Sequence, residues 1–90
     1  MNFNKIETVY KINIPFKEFD TILSIDYNIR QSENLYEILN KIPGVSNTDY
    51  DAGKGAYIFV TIEAKFDTAE TRKLIQDTIN NFIINNFKYK

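Results

Sequence analysis

Apolar and polar residues alternate along the first part of the chain. From Phe3 to Ile14, the residues Ile6, Thr8, Tyr10, Ile12 and Ile14 fall on one face. Lys5, Glu7, Val9, Lys11 and Asn13 fall on the other. A period of two is the mark of a half-buried strand. Pro15 lacks the N–H that a continuing ladder needs and predicts the strand's end. A second alternation runs from Phe19 to Ile29. Phe19, Thr21, Leu23, Ile25, Tyr27 and Ile29 share one side, and Asp20, Ser24, Asp26 and Asn28 the other, with Ile22 as the exception. Read as a strand, this segment pairs with the first through a hairpin loop at Pro15–Glu18. Setting Ile14 opposite Phe19 brings every core-side residue against another. A slip of one residue would turn the polar face inward.

The period then changes. Ser32 is a favourable helix cap, with Glu33 near the positive end of the dipole. Leu35, Ile38, Leu39 and Ile42 form the apolar stripe of a helix, which Pro43 and Gly44 stop. A short strand from Val45 to about Tyr50 follows, then a turn through Asp51–Gly55 and a strand over Ala56–Phe66. In that last strand Ala56, Ile58, Val60, Ile62, Ala64 and Phe66 make one face. Tyr57, Phe59, Thr61, Glu63 and Lys65 make the other. Asp67 or Thr68 starts a final helix, with Glu70 placed for a capping box. Its core stripe is Ile75, Ile79, Phe82 and Ile83. Ile84 lies nearly opposite that stripe and Phe87 on its flank.

The implied order is ββαββα in a single domain spanning residues 1–90. Two amphipathic helices would cover one face of a four-stranded antiparallel sheet. A right-handed crossover sets the fourth strand beside the second, giving the order 1-2-4-3. The class is α+β: a variant of the ferredoxin-like α/β plait with its usual last strand moved to the N-terminus. The opposite face of the sheet stays open. Ile22, Tyr57 and Phe59 would form an apolar patch there, with Tyr50 and Thr61 beside them, and exposed patches of this kind mark interaction sites. Ile84 and Phe87 offer a secondary interface.

Composition narrows the chemistry. The chain has no Cys, no His and no Trp. A disulfide framework, a Cys-ligated metal and a thiol nucleophile are therefore excluded. The usual general base at neutral pH is missing as well. The formal charge is −1, from 11 basic and 12 acidic residues, unlike the basic footprint of a non-specific nucleic-acid binder. There is no apolar signal core near Met1 and no apolar run long enough to span a membrane. A soluble cytoplasmic protein is the expectation. Ile, Asn, Lys, Tyr and Phe supply more than half of the residues. Their A/T-rich codons point to an A/T-rich bacterium, or to a phage or other mobile element.

Four motifs bear on function. The stretch Gly55–Ala56–Tyr57–Ile58–Phe59–Val60 resembles the central-strand motif of RNA-recognition domains, in which aromatic residues stack on bases. Tyr57 and Phe59 take the two stacking positions. Gly55 replaces the leading basic residue, Ile58 the small residue, and the second strand offers no aromatic partner. Gly53–Lys54–Gly55 precedes a strand rather than a helix, so it reads as a turn and not a phosphate loop. Asn47, Asp49 and Asp51 have calcium-loop spacing, but Ile58 holds the position of the bidentate Glu. They read as charges guarding a sheet edge. The carboxylates Asp26, Asp49, Asp51 and Glu63 show no pairing that would raise a pKa for catalysis.

The expectation is a non-enzymatic protein-interaction module without cofactor or metal. It would bind a protein partner or itself, as a dimer, through the open sheet face, in the manner of a small inhibitor or adaptor. Single-stranded RNA or DNA binding on the same aromatics is the second reading. A plait paired through its sheet or edges is also similar to ligand-sensing regulatory domains of the amino-acid-binding type, although no motif of that family is present.

Overall fold

A computed structural model of the chain describes residues 6–26, 34–53 and 55–87, with 24–26 and 86–87 as backbone only. Strand β1 spans Glu7–Asn13, helix α1 Phe16–Asp26 and helix α2 Leu35–Asn40. Strand β2 spans Val45–Asp51 and strand β3 Tyr57–Glu63. A single 3-10 turn at Ala64–Phe66 leads into helix α3, Ala69–Phe87. The strands form one antiparallel sheet in the order β1-β3-β2.

The second alternating segment is the main correction. Its described part, residues 19–26, lies in helix α1 and not in a strand, so among the described residues the sheet has three strands and its helix-covered face carries three helices. The four-stranded order 1-2-4-3 does not form. The residue that broke the strand alternation explains why. Phe19, Ile22 and Leu23 stand at i, i+3 and i+4, which is one face of a helix. Phe19 and Ile22 are fully buried, and Leu23 packs against the same core. Pro15 serves the helix as readily as it ends the strand: the Phe19 N–H donates to its carbonyl at 2.9 Å. Glu18 sits in the first turn, favourable to the dipole.

Other boundaries also moved. Helix α2 is capped by Asn34, whose side chain accepts from the Glu37 N–H at 2.9 Å. Ser32 and Glu33, expected at that cap, lie outside the described residues, as do Tyr27 and Ile29. Gly44 turns the chain into β2 with φ +91, and a side chain there would meet Phe66. Strand β3 stops at Glu63, and Phe66 is turned out to the surface instead of continuing the core face. Thr68 caps α3 by accepting the Thr71 N–H at 3.2 Å.

One core joins the inner face of the sheet to all three helices. The strands contribute Ile12, Ile58, Val60 and Ile62. Leu35 and Leu39 come from α2, and Ile75, Ile79, Phe82 and Ile83 from α3, as their spacing predicts. Tyr50 also turns toward this core, edge-on to Phe19 with ring centroids 6.3 Å apart. No described helix is long and apolar enough to cross a membrane.

Candidate functional site on the open sheet face

The register of the sheet fixes what the uncovered face shows. Val9 stands opposite Thr61, Lys11 opposite Phe59 and Asn13 opposite Tyr57. On the other flank of β3, Asn47, Asp49 and Asp51 stand opposite Thr61, Phe59 and Tyr57. A bulge at Ser46 interrupts the β2–β3 ladder. Side chains directly opposite in an antiparallel pair share a face. The site is therefore an aromatic pair on the central strand, flanked by β1 on one side and an acidic β2 on the other.

The two rings are close and half-buried. Tyr57 and Phe59 have centroids 6.2 Å apart at an interplanar angle of 42°, within the range of favourable aromatic pairs. The Lys11 ammonium lies 4.2 Å from the Tyr57 centroid, a cation–π contact. Gly55 leaves room for the same ring, because a Cβ there would come within 2.7 Å of it. Ser46 Oγ donates to Glu7 Oε2 at 2.8 Å across the far end of the face. Asp51 Oδ1 accepts the Gly53 N–H at 2.8 Å and so shapes the β2–β3 turn. By register Lys11 shares this face with Glu7, Glu63, Asp49 and Asp51, and Lys65 pairs with Glu63 at 3.8 Å, so carboxylates outnumber cations among the described residues there.

The expected site residues divide sharply. Tyr57, Phe59 and Thr61 lie on the open face. Ile22 does not: it is fully buried in α1. Tyr50 does not either, because it pairs with the core residue Ile58 and points with it. Helix formation also removes Asp26 from the face, and its side chain lies outside the described residues. Ile84 is 60% exposed on α3, away from the core stripe. The Phe87 side chain lies outside the described residues. Asn47, Asp49 and Asp51 line one side of an edge strand, as expected, and no metal-holding cluster of acidic residues occurs among the described residues.

No protein-family model matches this chain, and no curated protein or solved structure matches it significantly.

A second polar constellation escaped the sequence pattern. Arg72 Nε and Nη2 donate to Asp67 Oδ1 and Oδ2 at 2.7 and 2.9 Å. Thr8 Oγ1 donates to the same Asp67 carboxylate at 2.7 Å. The Arg72 guanidinium stacks 4.5 Å from the Tyr10 ring centroid, and Gln76 donates to the Tyr10 hydroxyl at 2.8 Å. The hydrogen bonds from Arg72, then Thr8, hold the Asp67 carboxyl down at about 2, against an ordinary 3.8. This group clamps β1 to the start of α3. Only one sequence feature pointed to it: a Tyr on a core face needs a partner for its hydroxyl.

Proposed function

We propose that the chain is a non-enzymatic protein-interaction module. Its open sheet face receives a basic, partly apolar segment of a partner protein. The observation that carries this reading is the pairing of Tyr57 and Phe59 with the acidic border of Asp49 and Asp51. Aromatic residues concentrate binding energy at protein interfaces, and complementary charge at the rim steers the partner and sets its orientation. The same border disfavours a polyphosphate strand, which a nucleic-acid platform would attract with basic residues.

With Ile22 and Tyr50 inside the core, the apolar part of the site is smaller than the sequence implied. Affinity then rests on two rings and on charge. A β1-α1-α2-β2 connection with β3 antiparallel between β1 and β2 is in keeping with a split βαβ unit and supports a plait-like role as well. An inhibitor or adaptor role encoded by a mobile element remains our reading of size and codon bias.

A photo-cross-linking residue at Phe59 tests the site. The expected products are Lys- or Arg-rich peptides of a partner protein, lost in an Asp49→Lys/Asp51→Lys variant. Binding of an oligothymidylate that weakens steeply with salt, and that disappears in Tyr57→Ala/Phe59→Ala, would replace this reading with the nucleic-acid one.

A further inference from the structure

We infer that a second copy of this chain pairs antiparallel with the outer edge of β1, so that two sheets become one. Half of the main-chain groups of β1 are already used. Ile14 N–H donates to the Ala56 carbonyl, and Ala64 N–H to the Ile6 carbonyl, both at 2.8 Å. Ile14 and Ile6 bracket β1, and the β1–β3 register is unbroken between them. In an antiparallel ladder the bonded pairs alternate. Thr8, Tyr10 and Ile12 therefore turn their N–H and C=O toward β3. Glu7, Val9, Lys11 and Asn13 turn theirs outward, and no described backbone group takes them. Such an edge is a template for another strand.

The side chains on this edge select the occupant. Val9 is 58% exposed and Ile6 is 77% exposed, so the edge offers apolar surface between the opposite charges of Glu7 and Lys11, where β2 offers aspartates alone. Centre the two-fold axis on Val9, and the outward-facing residues meet outward-facing residues. Val9 then stands opposite the second copy's Val9. Glu7 stands opposite the second copy's Lys11, and Lys11 opposite its Glu7. Each paired position exchanges two main-chain bonds, about six in all over these three pairs. On the helix-covered side, Ile6 comes opposite the second copy's Ile12. One strand thus supplies a self-complementary pattern of acid, valine and base at alternate positions, which is what an isologous two-fold interface requires.

The other edge argues by contrast. Glu63 N–H donates to the Gly44 carbonyl at 2.9 Å, which sets the alternation on that flank. The outward groups of β2 are then those of Thr48 and Tyr50. A two-fold axis at Asp49 or at Tyr50 places aspartate opposite aspartate, and like charges directly opposed are destabilising; an axis at Thr48 sets Asn47 opposite Asp49 and offers no pair of opposite charges. Charge and pattern thus favour pairing of β1 with β1. The open faces lie on the same side of the joined sheet, so two aromatic sites would stand side by side. The pairing uses the outward main chain, Val9 and the Glu7 and Lys11 charges, and shares with the open face only Lys11, which lies 4.2 Å from the Tyr57 ring, and Glu7, which accepts from Ser46; the partner-binding proposal rests on Tyr57, Phe59, Asp49 and Asp51, so each can fail without the other.

Light-scattering mass over a concentration series of the full chain tests the pairing. The native chain is expected to be a dimer. Glu7→Lys and Lys11→Glu each set like charges opposite one another twice and should weaken dimerisation about tenfold. The double reversal, Glu7→Lys/Lys11→Glu, should restore it. Val9→Pro removes an outward N–H and should give monomer. Amide exchange keeps the fold in view: in the dimer the Val9 and Lys11 amides should be protected, and in Val9→Pro only the inward Thr8, Tyr10 and Ile12 amides should remain so. A native chain that is monomeric throughout overturns the inference. A dimer that survives both single reversals, or one that the double reversal fails to restore, overturns it too. Tyr57→Ala/Phe59→Ala should leave the mass unchanged, which separates this outcome from failure of the open-face proposal.

Discussion

Two neighbouring segments with nearly the same alternation meet opposite fates. Glu7–Asn13 becomes strand β1, and Phe16–Asp26 becomes helix α1. In β1 the alternation is unbroken, with half-buried or buried residues at every second position. In α1 one residue, Ile22, is out of step, and that residue belongs to the helical set Phe19, Ile22 and Leu23. A short alternating run with one helical-spaced apolar residue satisfies both periods. The choice between them is made by what surrounds the segment. Sheet edges are finite, and β3 already has two neighbours. A helix laid over the apolar face buries Phe19 and Ile22 completely, whereas a further edge strand would leave Ile22 on the solvent side.

This comparison can be broken directly. Ile22→Ala should cost about 2–5 kcal/mol, the range for a buried aliphatic truncation. On an open sheet face the same change would cost a small fraction of that, and urea unfolding distinguishes the two. Thr21→Pro, in the body of α1, should cost about 3 kcal/mol. Val9→Pro removes only an outward N–H and should change monomer stability far less. If both prolines cost the same, the assignment of helix and edge strand fails.

The clamp that holds β1 gives a smaller, pH-dependent contrast. Asp67 is held at about 2 in the folded chain, below its ordinary 3.8. A depressed carboxyl contributes stability above its unfolded pKa and loses that contribution as the pH falls through the folded one. Melting temperatures of the native chain should therefore decline more between about pH 4 and pH 2 than those of Asp67→Asn.

On β2, Thr48 is 2% exposed and donates to Asn40 Oδ1 at 3.0 Å. Thr48→Val should cost about 1 kcal/mol and loosen the tie between β2 and α2. Asp49→Lys lies at the small end. The Asp49 carboxylate makes no hydrogen bond or ion pair among the described residues, so the effect on stability should be within about 0.5 kcal/mol. It should nonetheless abolish capture of a basic segment, if the open face binds as proposed.

Much of the arrangement could be read from spacing. The stripes of α2 and α3, the inner face of β3 and the outward position of Ile84 all follow from residue periodicity. So does the side-by-side placement of Tyr57 and Phe59, because alternation within one strand leaves no freedom. Tyr50 was not legible in this way. Which face of β2 turns inward depends on its register with β3, and the bulge at Ser46 resets that register near its start. The clamp of Thr8, Asp67, Arg72, Tyr10 and Gln76 was not legible either, because its members lie up to 68 residues apart along the chain and no local period connects them.

The sequence by itself determined the absence of thiol and imidazole chemistry, the amphipathic faces of β1, β3, α2 and α3, and the aromatic pair on one side of the central strand. These are consequences of composition and of fixed side-chain periods. Tertiary structure alone decided whether Phe16–Asp26 coils or extends, and with it the number of strands, the burial of Ile22 and the exposure of the β1 edge. The physical reason is competition. Both local conformations present apolar residues on one side, and the fold selects the one that buries Phe19 and Ile22 together.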